Sequence, residues 1–252
     1  MKLEVILSPK ELPDLARRDL RDAVCVVFDV LRATSTFVTA LEHGARTIVP
    51  VSEIAEALAA RREQPDVLLG GERDGVKIRA ALTGGVDFDL GNSPREYMAE
   101  KVRGRTIIST TTNGTRALRA CAGAKEVLAG SFLNLTATAR FVERLRAERV
   151  VLVCAGTREN VAVEDVLAAG ALIEQLAPSD KSIAGQDSEP VTKAQSAWRR
   201  AKSDLLAAVS DAENARRLLA NPELRDDVPY CLQIDCFPLV ARMQAGQIVK
   251  SG

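Results

Sequence analysis

The sequence predicts an α/β fold in which a largely parallel sheet is covered by helices on both faces. Short runs rich in β-branched residues alternate with stretches of helical periodicity along most of the 252 residues. Runs such as Val24-Cys-Val-Val-Phe28 are apolar without alternation, which indicates strands buried on both faces. Strands that alternate with helices in this way favour parallel pairing through helical crossovers.

The elements before residue 177 follow from this alternation in chain order. Strands are predicted over residues 3–7, 24–29, 47–51, 67–70, 106–109, 126–129 and 150–154. Helices are predicted over residues 11–21, 35–42, 52–62, 94–101, 116–121, 135–146 and 163–176. Ser93-Pro94-Arg95-Glu96 matches a capping box with proline at the first helical position, which places a helix start there.

The chain after residue 177 departs from the alternation. Residues 178–190 are polar and carry breaker residues, so we expect a loop or a mobile lid. A long charged helix is predicted over residues 191–220, ended by Asn221-Pro222, and a last strand over residues 230–237. Trp198 and Phe132 are interpreted as packing residues rather than binding platforms.

Composition narrows the class of protein. The length suits a single domain over residues 1–252, or two lobes of one domain. Acidic and basic residues number 34 each, so nothing points to nucleic acid or to an anionic membrane surface, while this even charge allows a homodimer. No signal peptide or run of about 20 apolar residues is present. The five scattered cysteines fit a reduced cytoplasm and, with a single histidine, argue against zinc.

The segment after the predicted strand 106–109 is rich in small polar residues. It runs through Ser109, Thr110, Thr111, Thr112, Asn113, Gly114 and Thr115 into a helix. Hydroxyls and N–H groups at such a helix start suit a phosphate-like anion. An ordinary βα turn, in which Thr and Asn cap the helix, explains the segment equally well. It is not a Walker A loop, because no Gly-Lys-Ser/Thr follows.

Polar groups recur where other predicted strands end, which is where ligands bind in doubly wound sheets. Asp29 ends one strand and Arg32 follows three residues later, so the pair combines a metal ligand or nucleophile with an anion clamp. The alternative is that Asp29 caps the next helix and Arg32 points to solvent. Similar groups follow later strands, namely Glu72, Asn92, Ser93, Glu164 and Asp165. For Glu164 and Asp165, simple opposition to the helix dipole is an equal alternative.

Carboxylates, hydroxyls, amides and guanidinium groups without histidine suit Mg²⁺ and phosphoryl chemistry. Three other phosphatase mechanisms do not fit the residues. His43 stands at an apparent helix end outside any nucleophile motif. Cys154 has Asn160, not arginine, six residues later, so it is interpreted as an inert thiol. Leu31 occupies the position at which a haloacid-dehalogenase-type enzyme has its second aspartate.

In chain order these motifs resemble those of the 2-phosphosulfolactate phosphatase family. The resemblance spans residues 24–237 and is carried by Phe28-Asp-Val-Leu-Arg-Ala-Thr-Ser-Thr36, Gly71-Glu-Arg73, Phe88-Asp-Leu-Gly-Asn-Ser-Pro94, Ser109-Thr-Thr-Thr-Asn-Gly-Thr-Arg116, Cys154-Ala-Gly-Thr157 with Glu164-Asp165, and Cys231-Leu-Gln-Ile-Asp235. It implies a three-layer α/β/α fold and an Mg²⁺-dependent acid phosphatase. Such an enzyme hydrolyses 2-phospho-3-sulfolactate to 3-sulfolactate and phosphate, a step of coenzyme M synthesis in methanogens.

The expected site follows from these motifs. Asp29 and Arg32 are predicted to be catalytic, and Arg116 or Arg158 to help Arg32 grip a second anion. Gly114 is expected to need a positive φ. The predicted metal ligands are Asp29, Glu72, Glu164 and Asp165, and the predicted substrate-binding residues are Asn92, Ser93, Thr110, Thr111, Thr112, Asn113, Gly114 and Thr115.

Several questions stay open at this point. Asp29 could attack phosphorus itself or hold the metal. The substrate is a small anionic phosphorylated acid, and phospholactate or phosphoglycerate are alternatives to 2-phosphosulfolactate. Segments 76–87 and 158–160 depart from the family pattern, and both lie near the proposed substrate loops. An anion-binding sensor without catalysis is the alternative from another functional class.

Overall fold

A computed structural model describes residues 1–177 and 184–251. It confirms the α/β class, with a ten-stranded, mostly parallel sheet between helices in a three-layer α/β/α arrangement. The strands are β1 (Lys2–Ile6), β2 (Ala23–Phe28), β3 (Thr47–Pro50), β4 (Leu68–Arg73), β5 (Val76–Lys77), β6 (Thr106–Thr110), β7 (Glu126–Gly130), β8 (Arg149–Cys154), β9 (Val240–Gln244) and β10 (Gln247–Ser251).

The helices lie between the strands as far as residue 177, with α4 and α5 both between β5 and β6, and α9 to α12 then follow one another. They are α1 (Leu12–Leu15), α2 (Ala33–Glu42), α3 (Ile54–Glu63), α4 (Ala80–Thr83), α5 (Ala99–Val102), α6 (Gly114–Ala120), α7 (Leu135–Arg144), α8 (Val163–Leu176), α9 (Glu189–Ala201), α10 (Leu205–Ser210), α11 (Glu213–Leu219) and α12 (Asp227–Cys231). Short 3₁₀ turns occupy Pro9–Glu11, Pro94–Glu96 and Phe132–Asn134.

The sheet contains two sets of parallel strands joined by an antiparallel hairpin. Its order is β1-β8-β2-β7-β9-β10-β3-β6-β4-β5. β1, β8, β2 and β7 are mutually parallel, as are β3, β6 and β4, while β9 and β10 pair antiparallel with each other and with the sets on either side. The two sets therefore run in opposite senses. Residues of the loops after β2 and β6 nevertheless line one cavity.

Burial on both faces of β2 explains its unbroken apolar run. Val24 and Val26 belong to the core beneath α7, α8 and α9, whereas Cys25 and Val27 belong to the core beneath α1, α2 and α6. A third apolar cluster joins α3 to β4 and β6. Three apolar clusters thus pack the helices on the sheet, each beneath its own group of helices.

Helix α2 packs against β7, β9 and β10, where the two sets of strands meet. Its residues from Ala33 to Leu41 are all buried. A helix that is buried on every side leaves its N-terminal residues little freedom to move. This rigidity fixes Asp29 and Arg32, which directly precede the helix.

Trp198 and Phe132 are packing residues, as predicted. Their rings stack with centroids 6.0 Å apart, and both side chains are buried. The indole N–H of Trp198 donates to Glu174 Oε2 at 2.7 Å, which satisfies its polar group.

The predicted helix over residues 191–220 is wrong. The chain forms α9, α10 and α11 instead, because Asp204 starts a new helix by accepting a hydrogen bond from the N–H of Ala207 at 3.0 Å. The predicted loop is also too long, since Glu189 and Pro190 already belong to α9. Residues 184–188 contain turns and no helix, as predicted, and residues 178–183 lie outside the described residues. The predicted helix over residues 11–21 shrinks to a 3₁₀ turn and α1.

The predicted strand over residues 230–237 is wrong as well. Its first residues end α12, and Asp235 adopts a φ of 56° that a strand cannot accommodate. The Asp235 carboxylate accepts hydrogen bonds from the N–H and the hydroxyl of Thr136 at 2.6 Å each. The last strands are β9 and β10, joined by Ala245 and Gly246 with φ of 48° and 77°. A two-residue turn ending in glycine between alternating segments is a hairpin signal that the prediction did not use.

The capping box at Ser93 does not form. The Ser93 hydroxyl donates to Asp227 Oδ1 at 2.7 Å, and the Glu96 carboxylate accepts from the N–H of Gly91 at 3.0 Å. Tertiary partners therefore replace the local hydrogen bonds, and the predicted helix over residues 94–101 divides into a 3₁₀ turn and α5.

Across residues 1–177 and 184–251, no helix combines the length and apolarity required to span a bilayer.

Gly170 sets the distance between α8 and α9. A methyl group at this position would overlap the carbonyl oxygen of Ala194 and lie 2.7 Å from Cβ of Trp198. We expect Gly170→Ala to lower the free energy of unfolding by about 2 kcal/mol, because the two helices must separate. Urea denaturation measures this loss. Gly123→Ala is the control, since nothing lies within 4 Å of the added methyl. Equal stability of both variants would contradict this account of the helix packing.

Candidate active site

A cavity lies where the loops after β2, β4, β6 and β8 meet. Parallel strands bring their carboxyl ends together, and the cavity is lined by residues that follow strands of both sets. Helix α11 closes another side of the cavity. The lining residues are Asp29, Leu31, Arg32, Glu72, Asp74, Gly75, Asn92, Thr112, Asn113, Gly156, Thr157, Arg158, Asn214 and Arg217.

Asp29 lies at the end of β2 and lines this cavity. Its Oδ1 accepts a hydrogen bond from the N–H of Ala33 at 3.1 Å, so the carboxylate caps α2. Its Oδ2 lies next to Gly114, since a methyl group there would be 2.7 Å from that oxygen. Burial raises the pKa of Asp29 to about 7, and repulsion from Glu72 and Glu164 acts in the same direction. The Asp29 side chain thus both caps α2 and lines the cavity.

Glu72 joins two loops of the site. Its Oε1 accepts from the N–H and the hydroxyl of Thr112 at 2.8 and 2.9 Å. Its Oε2 accepts from the N–H of Gly75 at 2.6 Å. The carboxylate therefore fixes the loop after β6 to the turn between β4 and β5.

Asp165 performs the same task for the loops after β2 and β8. Its Oδ1 accepts from the N–H of Val30 at 2.8 Å, and its Oδ2 accepts from the N–H of Gly156 at 2.9 Å. Burial, together with the charges of Glu164 and Asp29, raises the pKa of Asp165 well above its usual range. Asp165 is 1 % exposed, so it does more than oppose the dipole of α8 from the surface.

Glu164 is equally buried but keeps one oxygen free. Its Oε1 accepts from Nδ2 of Asn214 at 2.9 Å, while its Oε2 is buried without a hydrogen-bond partner. Burial raises the pKa of Glu164, and the hydrogen bond from Asn214 lowers it. A buried carboxylate oxygen without a donor is a position at which a ligand would be stabilised.

The threonine-rich segment holds itself together more than it faces the cavity. The Thr110 hydroxyl donates to the carbonyl of Ser52 and accepts from Arg73, both at 3.0 Å. The Thr111 hydroxyl accepts from the N–H of Thr115, whose own hydroxyl donates to the carbonyl of Thr111. Within the segment, the structure places Thr112 and Asn113 on the cavity lining.

Asn113 positions a neighbouring loop. Its Nδ2 donates to the carbonyls of Ala155, Gly156 and Arg158 at 3.0, 2.8 and 3.1 Å. Its amide nitrogen is therefore engaged, and the atom that stays buried without a partner is Oδ1. Oδ1 of Asn92 is in the same state. Both amides thus offer an acceptor oxygen at the cavity, which suits a cation rather than a phosphate oxygen.

Gly114 is required for space and not for a positive φ, so the predicted reason was wrong. Its φ lies outside the left-handed region. A methyl group there would meet Asp29 Oδ2 and, at 2.8 Å, Cβ of Ala33. Glycine therefore allows the start of α6 to approach the carboxylate.

Arg32 is buried, so the interpretation that it points to solvent is wrong. Its Nη1 donates to Asp227 Oδ2 at 2.7 Å, and its Nη2 donates to the carbonyl of Gly75 at 2.6 Å. Asp227 also accepts the hydroxyl hydrogen of Ser93. A buried pair with an additional donor of this kind holds the guanidinium in one orientation at the cavity.

Sequence reasoning missed three residues of the site, all after residue 204. Asp227 of α12 anchors Arg32. Asn214 of α11 donates to the Thr157 hydroxyl at 2.6 Å and to Glu164, and its Oδ1 accepts from Arg217 at 3.0 Å. An asparagine inside a helix was the available signal, because this residue is unfavourable there unless its amide has partners.

His43 and Cys154, which were set aside in the sequence, are not among the residues that line the cavity. His43 pairs through Nδ1 with the carbonyl of Tyr97 at 2.7 Å. Burial raises the pKa of the Cys154 thiol well above its usual range, so the thiol stays protonated at neutral pH. Arg116 is exposed and pairs with Glu159 at 3.2 Å, whereas Arg158 does line the cavity.

Comparison with known sequences identifies the family of the chain. The sequence model of the family described as 2-phosphosulpholactate phosphatase matches residues 8–246. The chain belongs to this family. It is accordingly a phosphoric monoester hydrolase.

Several relatives match more than nine tenths of the chain, and each carries the name probable 2-phosphosulfolactate phosphatase. The relative from Caldanaerobacter subterraneus subsp. tengcongensis is 39% identical over 93% of both chains. The one from Symbiobacterium thermophilum is 40% identical over 92% of this chain and 95% of its own. The one from Clostridium acetobutylicum is 35% identical over 99% of this chain and 100% of its own.

Gly114→Ala tests the placement of Asp29. The added methyl would displace Oδ2, so we expect kcat/KM for p-nitrophenyl phosphate to fall about 10- to 100-fold, as misplaced catalytic groups do. Thermal unfolding, measured in parallel, should change less than activity. Gly123→Ala serves again as the control. Wild-type activity in Gly114→Ala would show that contact with α6 does not set the position of Asp29.

The cysteines are expected to be dispensable. Cys236 is exposed, whereas Cys25, Cys121, Cys154 and Cys231 are buried. A thiol-blocking reagent under native conditions should therefore label Cys236 alone and leave phosphate release unchanged. Mass spectrometry counts the labels. Rapid inactivation that phosphate prevents would instead indicate a covalent cysteine mechanism at Cys154.

Proposed function

We propose that this enzyme hydrolyses 2-phospho-3-sulfolactate to 3-sulfolactate and inorganic phosphate, with Mg²⁺ as its cofactor. The observation that carries the proposal is the cavity of carboxylates and arginines at the strand ends of a chain that matches this family over residues 8–246. The substrate is an anionic phosphate monoester. The cavity offers carboxylate and amide oxygens that can bind a cation, and arginines that can bind an anion.

The oxygens of the site fit Mg²⁺. Asp29, Asn92 and Asn113 line the cavity, whereas Glu164 lies behind the lining residue Asn214. Glu164 Oε2, Asn92 Oδ1 and Asn113 Oδ1 are buried without partners. In the part of the chain that the structure describes, no three side chains of His, Cys, Asp or Glu form a metal cage. Mg²⁺ suits such a site, because it takes one or two carboxylates and completes its coordination with waters and substrate phosphate oxygens.

Asp29 and Glu164 are the proposed ligands of the ion. Glu72 and Asp165 use both of their oxygens on backbone N–H groups, so their role is to position the loops on which the site depends. When bound, Mg²⁺ would neutralise negative charge on the phosphoryl oxygens.

The chain's own donors then orient the phosphoryl group. Arg32 lines the cavity and is held by Asp227 and Gly75, which use two of its five N–H groups, so the others are available to a substrate. Thr112 is fixed beside it by Glu72. Donors that are already fixed in place stabilise charge as it develops without reorganising during the reaction.

We also propose that the protein acts in the cytoplasm on a small molecule. All five cysteines are free thiols, which suits a reducing compartment such as the cytoplasm. The balance of 34 acidic and 34 basic residues supports a small-molecule substrate rather than a nucleic acid. A homodimer stays a prediction.

Phosphate release from 2-phosphosulfolactate should require Mg²⁺, stop with EDTA and resume when Mg²⁺ is restored. Asp29→Asn should lower kcat about 100-fold or more, the usual effect of removing an essential charged group. Glu164→Gln should raise the Mg²⁺ concentration needed for the half-maximal rate. Asp22→Asn, at an exposed position, is the control.

Near-normal turnover in Asp29→Asn, or a rate that is independent of Mg²⁺, would contradict the proposal. Rapid quenching with substrate labelled in its phosphoryl group separates the two roles open to Asp29. Label that stays on the wild-type protein would indicate direct attack by the carboxylate.

A further inference from the structure

Three arginines line the cavity, and they differ in their partners. Arg32 pairs with Asp227 at 2.7 Å, and Arg158, which is exposed, pairs with Glu213 at 3.6 Å. Arg217 donates from Nη2 to the neutral amide oxygen of Asn214 at 3.0 Å. Among the described residues, no carboxylate oxygen lies within 4.0 Å of a guanidinium nitrogen of Arg217. Arg217 therefore forms no ion pair in that part of the chain, and the carboxylate that it attracts from a longer distance is Glu164, which also accepts from Asn214.

Arg217 also has a buried donor that is not used. Its Nε is buried without a hydrogen-bond partner. A buried N–H group in this state is unfavourable in the free protein and favours a ligand that accepts from it. An oxyanion in the cavity would supply this acceptor.

The turn at Gly75 brings Arg217 and Arg32 to the same part of the cavity. The carbonyl of Gly75 accepts from Arg32, and a methyl group on Gly75 would lie 3.1 Å from Nε of Arg217. The two guanidinium groups thus flank one residue. Asn214 fixes Arg217 from the other side through the hydrogen bond at Oδ1.

We propose that Arg217 binds the sulfonate of the substrate, while Arg32 and Thr112 face the phosphoryl group. This inference rests on the proposed function. A sulfonate stays ionised at neutral pH and carries three acceptor oxygens, which match the planar donors of a guanidinium. Arg217 is separated from the phosphoryl side by Gly75, as the sulfonate is separated from the phosphate by the substrate carbon skeleton. Arg217 is then a specificity-determining residue of the enzyme.

The test compares two substrates that differ in the sulfonate alone. 2-Phosphosulfolactate carries carboxylate, phosphate and sulfonate, whereas phospholactate carries a methyl group in place of the sulfonomethyl group. Arg217→Gln should lower kcat/KM for 2-phosphosulfolactate about 10- to 100-fold, mainly through KM, as expected for the loss of a charge-assisted hydrogen bond. Its kcat/KM for phospholactate should change less than about threefold.

The matched control is Arg216→Gln, because Arg216 is the exposed neighbour on the same helix. It should leave both substrates unchanged. Arg217→Lys should restore part of the preference for the sulfonate, because it keeps the charge but not the planar donors. Equal losses on both substrates in Arg217→Gln would overturn the inference, since the arginine would then act on the phosphoryl group, the carboxylate or the fold.

A binding measurement separates this inference from the proposed function. Calorimetric titration with 3-sulfolactate should give weaker binding to Arg217→Gln than to wild type, and lactate should show no such difference. If wild type releases no phosphate from 2-phosphosulfolactate, the proposed function fails, yet binding of 3-sulfolactate that depends on Arg217 still supports the inference. Equal binding by both proteins, or none by wild type, overturns it.

Discussion

The site depends on two buried carboxylates, each of which accepts backbone N–H groups from two loops. Asp165 joins Val30 to Gly156, and Glu72 joins Thr112 to Gly75. Burying a carboxylate is unfavourable, and charge-assisted hydrogen bonds to two donors offset that cost. These bonds hold the loops after β2 and β8, and those after β4 and β6, at fixed distances from each other.

The same arrangement concentrates negative charge around the cavity. Asp29, Glu72, Glu164 and Asp165 lie close enough to influence one another, and the raised pKa of Asp29 reflects burial together with this repulsion. Arg32 offsets only part of this negative charge at Asp29, because it also pairs with Asp227. Such a cavity is suited to a cation and a polyanionic substrate that bind together. The cation offsets the negative charge of the carboxylates, which would otherwise repel the substrate.

The sequence predicted most of this site through a single rule, that polar residues at strand ends meet. The rule brought Asp29, Glu72, Asn92 and Thr112 together, because periodicity identifies buried strands well. It failed for Asn214, Arg217 and Asp227, which lie on short helices whose boundaries depend on Asp204 and on tertiary contacts. Side-chain roles were also out of reach: the donors of Asn113 and the hydroxyl of Ser93 have partners distant in sequence, which no local pattern reveals.

The most direct test of the account is a crystal structure with Mn²⁺ in place of Mg²⁺ and with 3-sulfolactate bound, in which anomalous scattering locates the ion. We expect one Mn²⁺ bound by Asp29 and Glu164, with Glu72 and Asp165 still bonded to the backbone. An ion bound elsewhere, or none in the cavity while 3-sulfolactate is bound there, would contradict it.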